Sequence, residues 1–189
     1  MDIYKTILKR RTIRKFKQKR ISKKILINCL NAARLAPSAA NLQPLEYILI
    51  TKNLDEIFKC TGWLNYLKNK DTKPKENERP VAYIIIISNN KINKEAKYDV
   101  GFTAENIVLT AFEKGVSSCI IGALDREKIR EILNIPKNYS IEIAVALGYP
   151  KQKAIVEKFK NSVECWFGKK DDLHVPKRKL KNILHEGSF

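Results

Sequence analysis

Two periods of apolar residues organise the chain. Near the N-terminus, Asp2 can cap a helix in which Ile3, Ile7, Leu8 and Arg11 follow at helical spacing. After the basic stretch RKFKQKR, Ser22 is a good N-cap, and Ile25, Leu26, Cys29, Leu30 and Ala33 give a second helix an apolar face up to Pro37. Leu45 to Thr51 reads as a strand. The stretch DEIFKCTGWLNYLKN reads as a helix interrupted at Gly62, and Lys70 to Pro80 as a polar, charged loop, long enough to be mobile or functional. Val81 to Ile87 is apolar on both faces, as a buried strand requires. A long helix is predicted from about Lys94 to Lys114, with Val100, Ala104, Ile107, Val108 and Ala111 as its stripe and Gly115 as its terminator. A short strand over Ser117 to Leu124 follows. Next comes a helix capped by Asp125 and ending near Leu133, then a strand from Ser140 stopped by Gly148 and Pro150. In the tail, VECWF, GKKDD and LHVP suggest a hairpin ahead of the basic segment KRKLKNIL.

Helices and strands alternate as far as Pro150, and the tail looks like an added arm. The prediction is one α+β domain over residues 1–189, with helices packed on a sheet and 151–189 as a C-terminal extension. A chain of 189 residues buries roughly 70% of its unfolded surface and needs no covalent staples. Cys29, Cys60, Cys119 and Cys165 are widely spaced without a CxxC, and the histidines are His174 and His185 alone, so no zinc site is expected. The thiols read as reduced, in a cytoplasmic protein. The charged, helix-like N-terminus argues against a signal peptide, and the longest apolar run is too short to span a bilayer.

Charge changes the picture more. The formal net charge is +17. Between Ile3 and Leu45 there is no acidic residue but there are twelve basic ones, among them Arg10, Arg11 and Arg14. Such a run suits phosphate or a polyanion, although solvated lysine-rich faces are common. Apart from Phe16, aromatics are not interleaved with it, which speaks against a nucleic-acid module that reads bases by stacking. There is no GxGxxG and no GxxxxGK[ST], so phosphate must be held by side chains or a helix end.

Three short stretches could carry chemistry. Arg10, Arg11, Thr12 and Arg14 offer planar donor forks and a hydroxyl; if helical, 10 and 14 share a face and 11 and 12 flank it. Ser38, Asn41 and Gln43 lie between Pro37 and Pro44, and each amide carries a donor and an acceptor able to pair with an imide edge. Gly122 ends a strand and would let a flat ligand approach. Each also has an ordinary explanation: a basic helix end, a helix stop with turn residues, and strand-to-helix turn chemistry.

In order along the chain, RRTIRKF, ARLAPSAANLQPLEYILI, DVGFTAENIVLTAFEKGVSSCIIGALDREKIREILNIP and ALGYP together resemble the nitroreductase family of FMN-dependent oxidoreductases. The likeness runs from about Asp2 to Pro150 and resumes in HVPKRKLKNILH; at this length the chain looks like a compact member. The resemblance implies a central, mostly antiparallel sheet flanked by helices, and a homodimer that exchanges C-terminal arms and binds two FMN at the subunit interface. It implies that Arg10, Arg11 and Thr12 meet the phosphate and ribityl chain and that Arg14 lies near the pyrimidine edge as a tuner of flavin charge. Pro37, Ser38, Ala39 and Asn41, with Gln43 beside them, match a loop reaching the cofactor of the other subunit. Ile121 and Gly122 match a segment whose backbone faces the reactive nitrogen, and Lys177 and Arg178 match basic residues on the phosphate. No separate catalytic side chain is implied, because FMN carries hydride from NADH or NADPH to a nitroaromatic, quinone-like or related small acceptor by a ping-pong route. The usual Ser of the first motif is Thr12, and Thr61 to Arg79, where relatives cover the pocket, follows no recognisable pattern. A flavin-binding or flavin-processing protein of the same fold with a specialised substrate is the alternative.

Overall fold

The structure, a computed structural model, describes residues 2–63 and 72–189. Its central element is strand β3 (Ala82–Asn89), in which every residue from Ala82 to Ser88 is buried. β3 pairs antiparallel with β2 (Leu45–Ile50) on one side and with β5 (Tyr139–Pro150) on the other. β5 in turn pairs antiparallel with β4 (Ser117–Ile121) and, at Tyr149 and Pro150, with the two-residue β1 (Phe16–Lys17). The expected antiparallel sheet is therefore present.

Alternation along β3 divides the core in two. Ala82, Ile84 and Ile86 pack with Leu26, Cys29 and Ala33 of α2 (Lys23–Arg34) and with Val100, Ala104, Ile107 and Ala111 of α4 (Lys97–Glu113). Tyr83, Ile85 and Ile87 pack on the opposite face with Ile57 and Phe58 of α3 (Leu54–Lys59) and Ile129 of α5 (Arg126–Leu133). Each of these large aliphatic side chains contributes about 1.5–3 kcal/mol on full burial, so the sheet sandwiched between helices is where stability resides. Ser22 caps α2 by accepting from the Ile25 backbone N–H, and Asp125 caps α5 by accepting from that of Lys128 at 3.1 Å, both as the sequence predicts.

Several boundaries move for identifiable reasons. α4 starts at Lys97, three residues late, because Asn93 Oδ1 takes the Glu95 N–H at 2.9 Å and holds a turn there. It ends as expected before Gly115, whose φ is +74°. α3 ends at Lys59, before Gly62, because Thr61 bridges Leu124 and the Gly62 N–H reaches the Ala123 carbonyl at 2.8 Å. The remainder of that predicted helix lies mostly outside the described residues. β4 stops at Ile121, and β5 runs through Gly148, which sits opposite Ser117. Glycine is required there: a Cβ at 148 would lie 2.7 Å from Phe16 Cβ. In the polar loop, Glu78 pairs with Lys151 at 3.4 Å and Arg79 with Asp55 at 2.6 Å, tying the stretch before Pro80 to the body.

In the tail, β7 (Trp166–Phe167) and β8 (Leu173–Lys177) form the predicted hairpin. A strand the sequence did not announce, β6 (Ala154–Lys158), pairs parallel with β8. Among the described residues, no helix is long and apolar enough to cross a membrane.

The first helix departs most from its pattern. α1 (Ile3–Lys9) buries Thr6, while Ile3, Tyr4, Ile7 and Leu8 all stand exposed. On α4, Tyr98 and Phe102 are exposed as well, at 81% and 49%. The chain thus carries an apolar helical surface turned away from its own core.

Candidate functional site

The stretch Arg10 to Arg14 is not helical. Arg10 ends α1 with φ −59° and ψ 130°, and the chain continues extended. Thr12 makes a parallel bridge with Ser118, and the Ile13 N–H donates to the Ser118 carbonyl at 2.9 Å. The helical face expected to join Arg10 and Arg14 does not exist; non-local pairing with β4 overrides the local pattern. The extended segment instead spreads its side chains along the edge of β4. Ile13 enters the core. Arg10 turns to α4, where its Nε lies 3.5 Å from Glu105 Oε1; that Nε is buried and makes no hydrogen bond. Arg14 lies against Cys119 of β4, and its positive charge partly counters the burial that pushes the Cys119 thiol up.

Arg11 has a different place. Its guanidinium folds back onto α1, donating to the Leu8 carbonyl at 2.5 Å and to the Arg10 carbonyl. These groups lie in the last turn of α1, where helix carbonyls lack intrahelical donors. Burial, and then the neighbouring charge of Arg10, lower the pKa of Arg11. Its donors serve the helix end first.

Beyond Arg14 along β4 come Ile121, buried, and Gly122, exposed. A Cβ built at Gly122 would meet nothing within 4 Å. Arg126 fixes the turn, donating to the carbonyls of Gly122 at 3.2 Å, Ile141 at 2.9 Å and Glu142 at 3.1 Å. The end of β4 is thus a rigid backbone floor beside open space, and two of the three stretches singled out in the sequence meet here.

The third stretch sits elsewhere on α4. Ser38 Oγ donates to Asp99 Oδ2 at 2.5 Å, and the Ala39 N–H donates to Asp99 Oδ1 at 3.2 Å. Gln43 N–H donates back to Ser38 Oγ at 2.9 Å, and Gln43 Nε2 donates to Asn41 O and Oδ1 at 3.2 and 3.1 Å. Ala40, Asn41 and Gln43 have φ of +48°, +55° and +51°. Left-handed backbone costs a side-chain-bearing residue roughly 1–2 kcal/mol, so this is strain that the hydrogen bonds must hold. Pro37 and Ser38 line a cavity of about 140 Å³ with Tyr47, Asp99 and Thr103. Of the two amides expected to meet a ligand, Gln43 is engaged within the loop, while Asn41 is exposed and held through its oxygens.

Lys177 and Arg178 are not brought to Arg10 within this chain. Lys177 stands opposite Lys158 in the β6–β8 pair, its carbonyl accepting from the Phe159 N–H at 3.0 Å. Arg178 donates to the Asn182 carbonyl at 2.7 Å. Both bonds stay inside the tail.

Sequence reasoning missed Asp99, Glu105 and Arg126. Asp99 had a readable signal: it falls on the apolar stripe of α4 beside Val100, where an acid has no business unless it is paired.

Comparison with known proteins sets this geometry in a wider group. A protein of Archaeoglobus fulgidus bearing the provisional name NADH dehydrogenase/NAD(P)H nitroreductase is 32% identical over 162 residues, covering 80% of this chain and 87% of its own. An iodotyrosine deiodinase of Thermotoga neapolitana is 24% identical over 166 residues, covering 78% of this chain and 88% of its own. The solved structure of an FMN-dependent nitroreductase from Clostridium difficile R20291 superposes with a TM-score of 0.70 at 26% identity, over 97% of this chain and 98% of that one. The sequence model described as Nitroreductase family matches residues 7–149, from within α1 to the penultimate residue of β5. That span takes in all three stretches singled out in the sequence, and the chain belongs to the nitroreductase family.

Proposed function

We propose that the protein is an NAD(P)H-dependent FMN oxidoreductase that reduces nitroaromatic, quinone-like or related small acceptors in a ping-pong cycle. The observation that carries this reading is the pairing of Thr12 with Ser118. It lays Arg10 and Arg14 along β4, about 13 Å apart in extended chain, with the bare backbone of Gly122 beyond. FMN fits such a strip. With its buried Nε facing Glu105, the Arg10 guanidinium would turn its remaining donors to a phosphate oxygen, and a floor without a Cβ suits a flat ring. When bound, FMN supplies the hydride chemistry. Arg14 would stabilise negative charge on the ring's pyrimidine side, and Thr12 would add a hydroxyl donor.

The working unit in this reading is a homodimer. The exposed apolar residues of α1 and α4 form the face a second copy covers, and the tail is the arm exchanged, which would carry Lys177 and Arg178 to the partner's phosphate. The loop from Pro37 to Gln43 hangs on Asp99, next to Tyr98 of that face, so Asn41 would reach the cofactor of the other subunit. Cys29, Cys60 and Cys119, buried and free, suit a reducing cytoplasm.

Purified protein should be yellow, release FMN on denaturation and bleach anaerobically with NADH or NADPH. Colourless protein that cannot be reconstituted with FMN refutes the proposal. The likeness to a deiodinase favours one second reading, a flavin protein with a specialised substrate. Reoxidation of the bleached protein by iodotyrosine but not by nitroaromatics or quinones would select it.

A further inference from the structure

We propose that Asp99 is a positioning residue for the cofactor, setting the conformation in which Asn41 is presented. The inference rests on the FMN site proposed above and deepens it. Asp99 is 2% exposed, and its carboxylate faces the loop rather than a cation: its partners are the Ser38 hydroxyl and the Ala39 N–H. From there the bonds form a relay. Ser38 Oγ, donating to Asp99, accepts from the Gln43 N–H, and Gln43 Nε2 holds Asn41 by both its oxygens. Three of the residues at positive φ, Ala40, Asn41 and Gln43, lie in the loop that this relay spans. An Asn held by its oxygen offers its NH₂ outward, as a donor to a carbonyl oxygen or ring nitrogen of a ligand.

A buried carboxylate needs compensation. Here it comes from two hydrogen bonds and from the first turn of α4, whose N-terminal end favours negative charge. That position gives Asp99 a competing role, stabilising α4 alone, and the two roles part in their consequences. If Asp99 serves only the helix, its loss lowers stability and leaves ligand affinity unchanged. If it serves Asn41, its loss weakens the cofactor by the same route as loss of Asn41 itself, and the two losses do not add.

The test is a cycle of Asn41→Ala, Asp99→Asn and the double variant, prepared as FMN-loaded protein. The dissociation constant is read from flavin fluorescence on dilution, and the bound state from the visible circular dichroism of the flavin. Asp99→Asn keeps size but makes one acceptor oxygen a donor, so it cannot serve both loop donors. Each single variant should bind FMN about tenfold more weakly, with the double variant no weaker than Asn41→Ala. The flavin dichroism of Asp99→Asn should move to that of Asn41→Ala. Unchanged affinity in Asp99→Asn beside a weakened Asn41→Ala overturns the inference, as does a double variant weakened about a hundredfold. Parental affinity in Asn41→Ala removes the loop from the FMN site and this inference with it, while absence of FMN from the parent protein refutes the function itself. Should Asp99→Asn not fold, Ser38→Ala cuts the next link of the relay and is judged by the same cycle.

Discussion

Gly148→Ala tests the packing beneath the site. Glycine at 148 lets Phe16 cross β5 at a distance no side chain permits. An added Cβ would stand 2.7 Å from both Cβ and Cδ1 of Phe16 and 2.8 Å from Cγ. Ordinary contact begins near 3.4 Å, so about 0.7 Å must be recovered. Neither side can yield cheaply. Residue 148 is fixed opposite Ser117 in β4, and Phe16, fully buried, is fixed opposite Pro150. Overpacking of this kind costs about 1–3 kcal/mol. Alanine also restricts the unfolded chain, which returns roughly 0.4–1 kcal/mol where its native conformation is unstrained. The net expectation is a loss of about 1–2 kcal/mol, read by urea unfolding, with Tm lower by roughly 2–4 °C per kcal/mol. Because Phe16 Cβ is itself one of the clashing atoms, Phe16→Leu should not rescue Gly148→Ala. A variant within about 0.5 kcal/mol of the parent, or full rescue by Phe16→Leu, would refute the packing argument.

Arg10→Ala should mainly weaken FMN affinity, and Arg14→Ala should mainly lower the flavin's reduction potential. Titration and anaerobic redox poise separate the two, and an exchange of these effects would reverse the assigned roles. Burial pushes the Cys29 thiol from 9.0 up to about 11. Between those values the unfolded chain has released this proton and the folded one has not, so stability present below pH 9 is lost as pH rises through 11. Urea midpoints at pH 8 and pH 10.5 should show the fall, and Cys29→Ala should make it smaller. Phe102→Asp, placing charge on the exposed face of α4, should convert the proposed dimer to monomer in sedimentation experiments; an unaltered mass would move the interface elsewhere.

Elements that bury a continuous local pattern could be read directly. β3 was legible because seven successive positions enter the core, and α2 because a cap, a stripe and a proline agree. The Arg10–Arg14 segment was not, because Ile3, Ile7, Leu8 and Arg11 continue a helical period that only contact with Ser118, over a hundred residues away, cuts short. β6 escaped for a similar reason, since its partner β8 lies beyond β7 and parallel pairing leaves no turn signature. At the site, residue types were legible and their division of labour was not. Arg11 and Gln43 look as ligand-ready as Arg14 and Asn41 until the structure shows their donors engaged with carbonyls of their own segments.

The position of β5 also governs how the chain is made. Among the described residues, β1 and β4 have no strand partner but β5, and β3 without it has β2 alone. During synthesis from the N-terminus, the apolar run Ile84 to Ile87 is therefore translated long before its second neighbour exists. It waits with an open edge, the kind on which nascent chains aggregate. Closure comes only when Ile141 to Val145, the partners of that run, have left the ribosome. Fragments ending before Tyr139 are expected to be insoluble, and the nascent enzyme depends on shielding of that edge during the interval.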